Sequence, residues 1–318
     1  MSAGIPTTMR AAVLDGAGPP DAFHLRTVEV PRLTRNHVLI ALDYASVGTW
    51  DAQARSGAWG TVSPGKILGV DGSGTVATLA ADVTGLRVGD RVYAYSYDNP
   101  HGGFYAEYAS VSAERVWHVP RQLDQKVAGA IPCVALTAQA CLDALHLRSG
   151  RTLLVYGGSG GVGSLAVWLA AGARGENVVA TGRPDAHDYL RRLGAAHAID
   201  PHPSSGVPAI ARVAPSGFDA ALVTSGGETL AAFLAHLRDG VPFAFPNGVE
   251  PAPHADGHRA LGADGPMSRP AFEELNRAIG TRTIPLHVES FALADVAAAH
   301  RRIEQGHVLG KIVLQIHS

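Results

Sequence analysis

Residues 153–169 read LLVYGGSGGVGSLAVWL. An apolar run long enough for a buried strand breaks into glycines at 157–163 and then resumes as a second apolar run. Gly158, Gly160 and Gly163 stand at the G-x-G-x-x-G spacing, directly after the strand-like stretch and at the start of the helix-like one. Glycine permits the tight turn, lets the backbone approach a pyrophosphate, and allows close packing of helix on strand. The helix then presents free N–H groups and a partial positive charge to phosphates. Such spacing alone is weak, because glycine-rich turns are common, but the strand–turn–helix setting predicts a dinucleotide-binding unit.

Downstream, strand and helix patterns alternate. Strands are expected at 152–156, 177–181, 197–199, 219–224 and 242–246, with helices at 161–171, 185–193 and 228–237. Alternation of this kind implies a parallel sheet covered on both faces. Residues 248–270, rich in Gly, Pro, His and Ala, read as a connection with one further strand near 258–261. Helices at 271–279 and 293–305 and a last strand at 311–316 follow, with Gly306 as a left-handed cap. Upstream, β-branched runs at 11–14, 37–44, 74–79, 91–95 and 105–111 are separated by glycine and proline, the texture of antiparallel strands in a partly closed barrel. Helical sequence begins at 125–145, so the domain boundary is expected near residue 120.

Composition limits the function classes. The 318 residues favour two domains; 46% are hydrophobic and 17% charged, a folded globular balance. A formal net charge of -2 supplies no basic field for nucleic acid or an anionic membrane, so neither is expected as a partner. Cys133 and Cys141, the only cysteines, read as core thiols. No secretory leader is legible at the amino terminus, and the longest apolar run, 162–173, is far short of the roughly 20 residues that span a bilayer. A cytoplasmic protein is expected.

The choice of dinucleotide should be written at the end of the second strand, where a carboxylate would accept from a ribose 2′-hydroxyl. Thr181, Gly182 and Arg183 stand there instead. Arg183 either pairs with a 2′-phosphate through its planar fork or is a solvated residue opening a helix; the first reading favours NADPH over NADH.

These pieces, with ILGVDGSG at 67–74, VGDRV at 88–92, GFYAEYA at 103–109, Leu136-Thr137-Ala138, residues 224–228 and AHRRIEQGHVLGKIVL at 299–314, resemble the zinc-independent quinone oxidoreductase (zeta-crystallin-like) branch of the medium-chain dehydrogenase/reductase superfamily. The likeness runs from Met9 to the last strand. It implies an α/β protein with a GroES-like β-barrel catalytic domain at 1–122, a doubly wound Rossmann domain at 123–263 and a return segment at 264–318, with the active site between the two domains. It also implies a homodimer. For the cofactor it implies pyrophosphate contacts along Gly158, Ser159, Gly160, Gly161, Val162 and Gly163, and Thr137 beside the nicotinamide. Thr181, Gly182 and Arg183 would hold the 2′-phosphate, and Thr224, Ser225, Phe245, Asn247 and Gly248 would line the crevice. Lys311 either faces that cleft or is solvated.

Zinc-dependent relatives carry a histidine where Val70 stands and a cysteine near Gly48, and no cysteine precedes Cys133, so a tetrahedral catalytic site is not expected. His254 and His258 form a tempting pair without a third ligand. Without a Lewis acid, hydride transfer to an already electron-poor acceptor needs the least help. The segment SVGTWDAQARSG at 46–57 should line the substrate side, yet it lacks the asparagine and tyrosine that relatives commonly have where Gly48 and Gln53 stand. Thr49, Trp50 and Asp51 are the remaining catalytic candidates. Trp50 either stacks on a flat acceptor or fills core, and Asp51 either donates a proton, its pKa raised by burial, or is a hydrogen-bonded structural carboxylate. The expectation is an NADPH-dependent, metal-independent reductase of quinones or α,β-unsaturated carbonyls. An enoyl or carbonyl reductase of one metabolite, or an NADPH-binding sensor with little turnover, stands beside it.

Overall fold

The computed structural model describes residues 4–172 and 174–317. The chain divides into two compact units: the first takes the chain through Cys133, Met267–Phe272 and the stretch from Val288 onward, and the second takes Val134–Pro266 and Glu273–His287.

The first unit begins with β1 (Thr8–Leu14), β2 (Phe23–Glu29), β3 (His37–Val47), α1 (Thr49–Ser56), β4 (Lys66–Ile67), β5 (Asp71–Leu79), β6 (Arg91–Tyr95), β7 (Tyr108–Ser112), β8 (Val116–His118) and α2 (Gln125–Ala130). Strands β2, β1 and β4 form a three-stranded antiparallel sheet. In the larger sheet β3 is the hub, pairing with β5 on one side and β7 on the other. Gly74 shows why β5 carries glycines: a Cβ there would lie 2.0 Å from the Ala41 carbonyl oxygen of β3. The segment around Tyr105 stitches the sheets together, since Ala12 donates to the Tyr105 carbonyl and Tyr105 donates to that of Leu68. One core, with Leu14, Phe23, Ile40, Leu42, Phe104 and Leu314 among its members, serves both sheets.

Helix α3 (Pro132–Leu145) leads into the second unit, with β9 (Thr152–Tyr156), α4 (Gly161–Gly172), β10 (Asn177–Thr181), α5 (His187–Leu193), β11 (His197–Ile199), α6 (Pro203–Val213), β12 (Ala220–Val223), α7 (Leu230–Leu234), β13 (Pro242–Pro246) and β14 (Arg259–Ala263). The strands are all parallel, in the order β11-β10-β9-β12-β13-β14. Strand order therefore reverses between β9 and β12, the switch point where doubly wound sheets take their ligands. Helix α4 is buried from Gly163 to Ala170, which is why its sequence is apolar all round. After α8 (Arg269–Thr281) the chain closes with β15 (Val288–Ala292), α9 (Val296–Glu304) and β16 (Lys311–Gln315), β16 pairing antiparallel with β3. Among the described residues no helix is long and apolar enough to cross a membrane.

The domain boundaries expected at 122/123 and 263/264 need correction. Helix α2 stays with the first unit: Ser73 donates to the Gln125 carbonyl at 2.7 Å, Gln125 donates to that of Gly74 at 3.0 Å, and Cys133 donates its N–H to Asp71 at 2.9 Å. The return segment is divided, because Gly265 donates to the Thr137 hydroxyl, the Trp168 indole donates to the Thr283 carbonyl, and the Arg282 guanidinium covers the Trp168 ring. The helical sequence expected at 125–145 forms two helices, separated at Ile131 before Pro132. Helix α7 is shorter than the expected 228–237, and α1, α6, β2 and β15 had not been anticipated.

Candidate functional site

The glycine turn of the second unit is braced from both neighbouring strands. Gly157 takes a φ of +85°, donates its N–H to the Thr181 hydroxyl at 2.8 Å, and receives the Thr224 hydroxyl on its carbonyl at 2.9 Å. Gly158 donates to the Thr181 carbonyl at 2.8 Å. The glycines have different duties. A Cβ on Gly163 would sit 2.2 Å from the Gly157 carbonyl oxygen, so this glycine lets α4 lie on the turn. A Cβ on Gly160 would find nothing nearer than 3.9 Å, so its face is open. That open face, beside a helix start whose first N–H groups have no intrahelical acceptor, fits a pyrophosphate.

Around this turn, Ser159, Gly161 and Val162 are partly exposed, while Ser225, Asn247 and Gly248 are exposed at strand ends and Phe245 is half-buried. Asn247 already donates to Asp264 at 2.8 Å. Gly182 is buried, and the Arg183 side chain is 58% exposed, only 3.9 Å from Asp185 as its ion-pair partner. Its guanidinium therefore lies at the surface, with Asp185 as a long-range partner. Thr181 is corrected: it is 1% exposed and its hydroxyl holds Gly157, so it shapes the turn. Thr224 braces the same turn, and Thr137 is buried with its hydroxyl accepting from Gly265.

Lys311 requires the largest correction. It belongs to the first unit, is 4% exposed, donates to the Val47 carbonyl at 3.0 Å, and places its ammonium 4.8 Å from the centre of the Trp50 ring. The solvated reading of Lys311 therefore does not apply. Its charge answers the carboxyls of Asp71 and Asp51, both buried. Burial pushes Asp51 up to about 7, opposed by the Gly48 N–H, with Asp71 adding repulsion and Lys311 and Tyr105 opposing it. Burial likewise pushes Asp71 up to about 6, opposed first by Lys311. Burial also holds Lys311 below its ordinary value, with Asp71 pulling it back. Removing one member of a buried ionic set leaves the others uncompensated. Lys311→Met is therefore expected to destabilise the protein by roughly 3 kcal/mol at neutral pH. The loss should shrink toward pH 5, where both carboxyls accept protons, and denaturant midpoints at the two pH values check this.

Asp51 is held at the third position of α1, where its carboxylate reaches back to accept the Gly48 N–H at 2.9 Å, and Gly57, at a φ of +83°, closes the helix. A Cβ on Gly48 would collide with the Trp50 ring at 2.2 Å, which accounts for glycine there. Thr49 is exposed on the same turn. Trp50 and Asp51 line a pocket of about 260 Å³ with Leu68, Val70, Tyr97 and Trp59 among its other walls. Trp59 and Tyr97 are exposed, with ring centres 6.1 Å apart. Trp59, Tyr97, Asp71, Tyr105 and His300 were missed as site residues; an isolated tryptophan in the Gly/Ala/Ser-rich stretch 57–65 was the one available signal.

Among the described residues no three His, Cys, Asp or Glu side chains converge as metal ligands. His254 pairs with Asp256 and His258 with the Val241 carbonyl, so the two histidines are engaged separately. Both cysteines are buried thiols, as expected.

Comparison with known proteins matches residues 34–121 to the alcohol dehydrogenase GroES-like domain and residues 193–314 to the zinc-binding dehydrogenase family. The 2-methylene-furan-3-one reductase of Solanum lycopersicum is 35% identical over 208 residues, 63% of this chain and 54% of that protein. An NADPH-dependent alkenal/one oxidoreductase of Arabidopsis thaliana chloroplasts is 33% identical over 207 residues, 62% of this chain and 54% of that protein. The chain thus spans about half the length of these curated relatives. The quinone oxidoreductase structure from Coxiella burnetii superposes with a TM-score of 0.86 at 26% identity, covering 98% of this chain and 100% of the other.

Proposed function

The chain belongs to the medium-chain dehydrogenase/reductase superfamily, in its quinone-oxidoreductase-like branch, and from that premise we propose that it is an NADPH-dependent, metal-independent oxidoreductase reducing a quinone or an α,β-unsaturated carbonyl. The observation that carries this reading is the Trp50–Asp51 pocket in the first unit, whose one carboxyl among the described lining residues, Asp51, is pushed up to about 7. A group of that pKa is about half protonated at neutral pH, poised both to hold a proton and to release it. NADPH would rest on the open face of Gly160, with Arg183 on its 2′-phosphate, and when bound it supplies hydride. The protein's own work is then to align the acceptor, keep water out and deliver one proton from Asp51 to the reduced product. Metal independence is supported by Val70 and Gly48, which offer no ligand, and by the absence of a convergent donor set among the described residues. A cytoplasmic homodimer belongs to the same proposal; sedimentation analysis tests the dimer.

Two measurements test the reading. NADPH and NADH oxidation, followed by loss of absorbance, against quinones, enones, aldehydes and ketones should show chelator-insensitive use of NADPH with quinones or enones. Tight NADPH binding without turnover on any acceptor would replace it with a sensor. Arg183→Ala should weaken NADPH by roughly 2 kcal/mol, the scale of a charge-assisted hydrogen bond, and leave NADH almost unchanged. Equal loss for both cofactors would remove Arg183 from the 2′-phosphate.

A further inference from the structure

Behind Asp51 lies a chain of hydrogen bonds whose direction is fixed at its far end. Arg55, on the last turn of α1, is buried; its Nε donates to the Gly18 carbonyl at 3.0 Å and one guanidinium nitrogen pairs with Glu304 of α9. The other guanidinium nitrogen stands 3.3 Å from Nδ1 of His300, a fully buried residue of α9. A guanidinium can only donate, so Nδ1 must accept, and the proton of the neutral ring lies on Nε2. Neutrality follows from burial and the Arg55 charge, which push His300 down to about 3. Nε2 faces the Tyr105 hydroxyl at 3.3 Å and therefore donates to it. Tyr105 has one O–H, and with His300 on its acceptor side that O–H is left for the Asp51 carboxyl, the strongest of the neighbouring charges acting on the tyrosine.

Each member is held from the side as well. The Phe23 ring packs edge-on against His300 at 4.7 Å between centres, and Tyr105 and His300 are both fully buried. Little room is left for the hydroxyl to turn elsewhere. The groups facing Asp51 are the Gly48 N–H from its own helix, Asp71 from β5, Lys311 from β16 and Tyr105 from the segment between β6 and β7.

We propose that Tyr105 and His300 are positioning residues for Asp51, forming with Arg55 a one-way donor chain that aims the tyrosine O–H at the pocket carboxyl and sets when it gives up its proton. The inference rests on the proposed reduction. In that reaction hydride addition oxidises NADPH and leaves the acceptor as an enolate or hydroquinone anion. The Asp51 O–H bond then breaks as its proton passes to that anion, and the carboxylate recovers a proton from water. Tyr105 keeps its own proton throughout. Its bond favours the charged form of Asp51, so the chain keeps the carboxyl ready to release a proton near neutrality against the opposing effect of burial.

The test uses the full chain and reads Asp51 twice: by the carboxyl ¹³C resonance titrated without cofactor or acceptor, assigned by its absence in Asp51→Asn, and by the pH profile of kcat/KM. Tyr105→Phe keeps the ring and removes the donor. The resonance midpoint should rise by roughly one pH unit and the alkaline limb of the profile should follow it. His300→Gln, which offers an acceptor and an N–H in the same sense, should stay near the parent midpoint, whereas His300→Leu should move upward with Tyr105→Phe. A midpoint unmoved in Tyr105→Phe overturns the proposal, even if turnover falls, because Tyr105 would then act through packing alone. A raised midpoint in a protein without turnover on any acceptor supports the chain and rejects the proposed reaction.

Discussion

A Gly160→Val protein is expected to melt at the parent temperature and to bind NADPH at least about a hundredfold more weakly, a loss of roughly 3 kcal/mol or more. The two halves of that expectation come from one geometric fact. A Cβ on Gly160 meets nothing within 3.9 Å, so the fold accommodates a side chain there. The same open face is where a pyrophosphate would approach the backbone, and a branched side chain would occupy it. Two charge-assisted hydrogen bonds displaced together account for the size of the effect. Gly163→Val is the contrasting variant. Its Cβ would press to 2.2 Å against the Gly157 carbonyl, so lost binding there would accompany lost stability and say nothing about phosphate. Calorimetry with a fluorescence titration separates the cases, and unchanged affinity in Gly160→Val would make the turn purely structural.

The second unit was legible because its signals are local. Strands β9 and β12 are buried through nearly their whole length, so they read as apolar runs, and the glycine turn lies within seven residues. Where the sequence misled, distant partners decide. Helix α1 has no apolar stripe: its buried face is Asp51, Ala52 and Arg55, tolerable only because Tyr105, His300, Glu304 and Lys311 arrive from elsewhere. His300 lies 195 residues from Tyr105 and 245 from Arg55, separations no spacing rule reaches. Helix α6 is disguised by Pro203 at its first turn, Pro208 inside it and Gly206. Strand β2 is mostly exposed and therefore polar in sequence. The solvated alternative for Lys311 follows the general rule that lysine stays in water, which fails where two buried carboxyls receive it.

Asp51→Asn carries the other large expectation: kcat lower by about 10²- to 10⁴-fold, the usual worth of a positioned acid, with NADPH affinity unchanged. The amide oxygen can still accept the Gly48 N–H, so α1 should keep its cap. The stability consequence runs the other way. The pKa of Asp51 in the folded protein, about 7, lies above the ordinary 3.8, so the folded state binds the proton more tightly than the unfolded chain does. The wild type therefore has that stabilisation in full below the ordinary value and loses it as pH rises toward 7. Asparagine does not titrate, so denaturant midpoints of the variant should gain on the wild type across that interval. A variant that instead lost ground as pH rose would mean that the fold favours the carboxylate, and Asp51 would then be a structural anion rather than a proton donor. The acid's usefulness and its cost have one origin, a carboxyl held where its charge is poorly solvated.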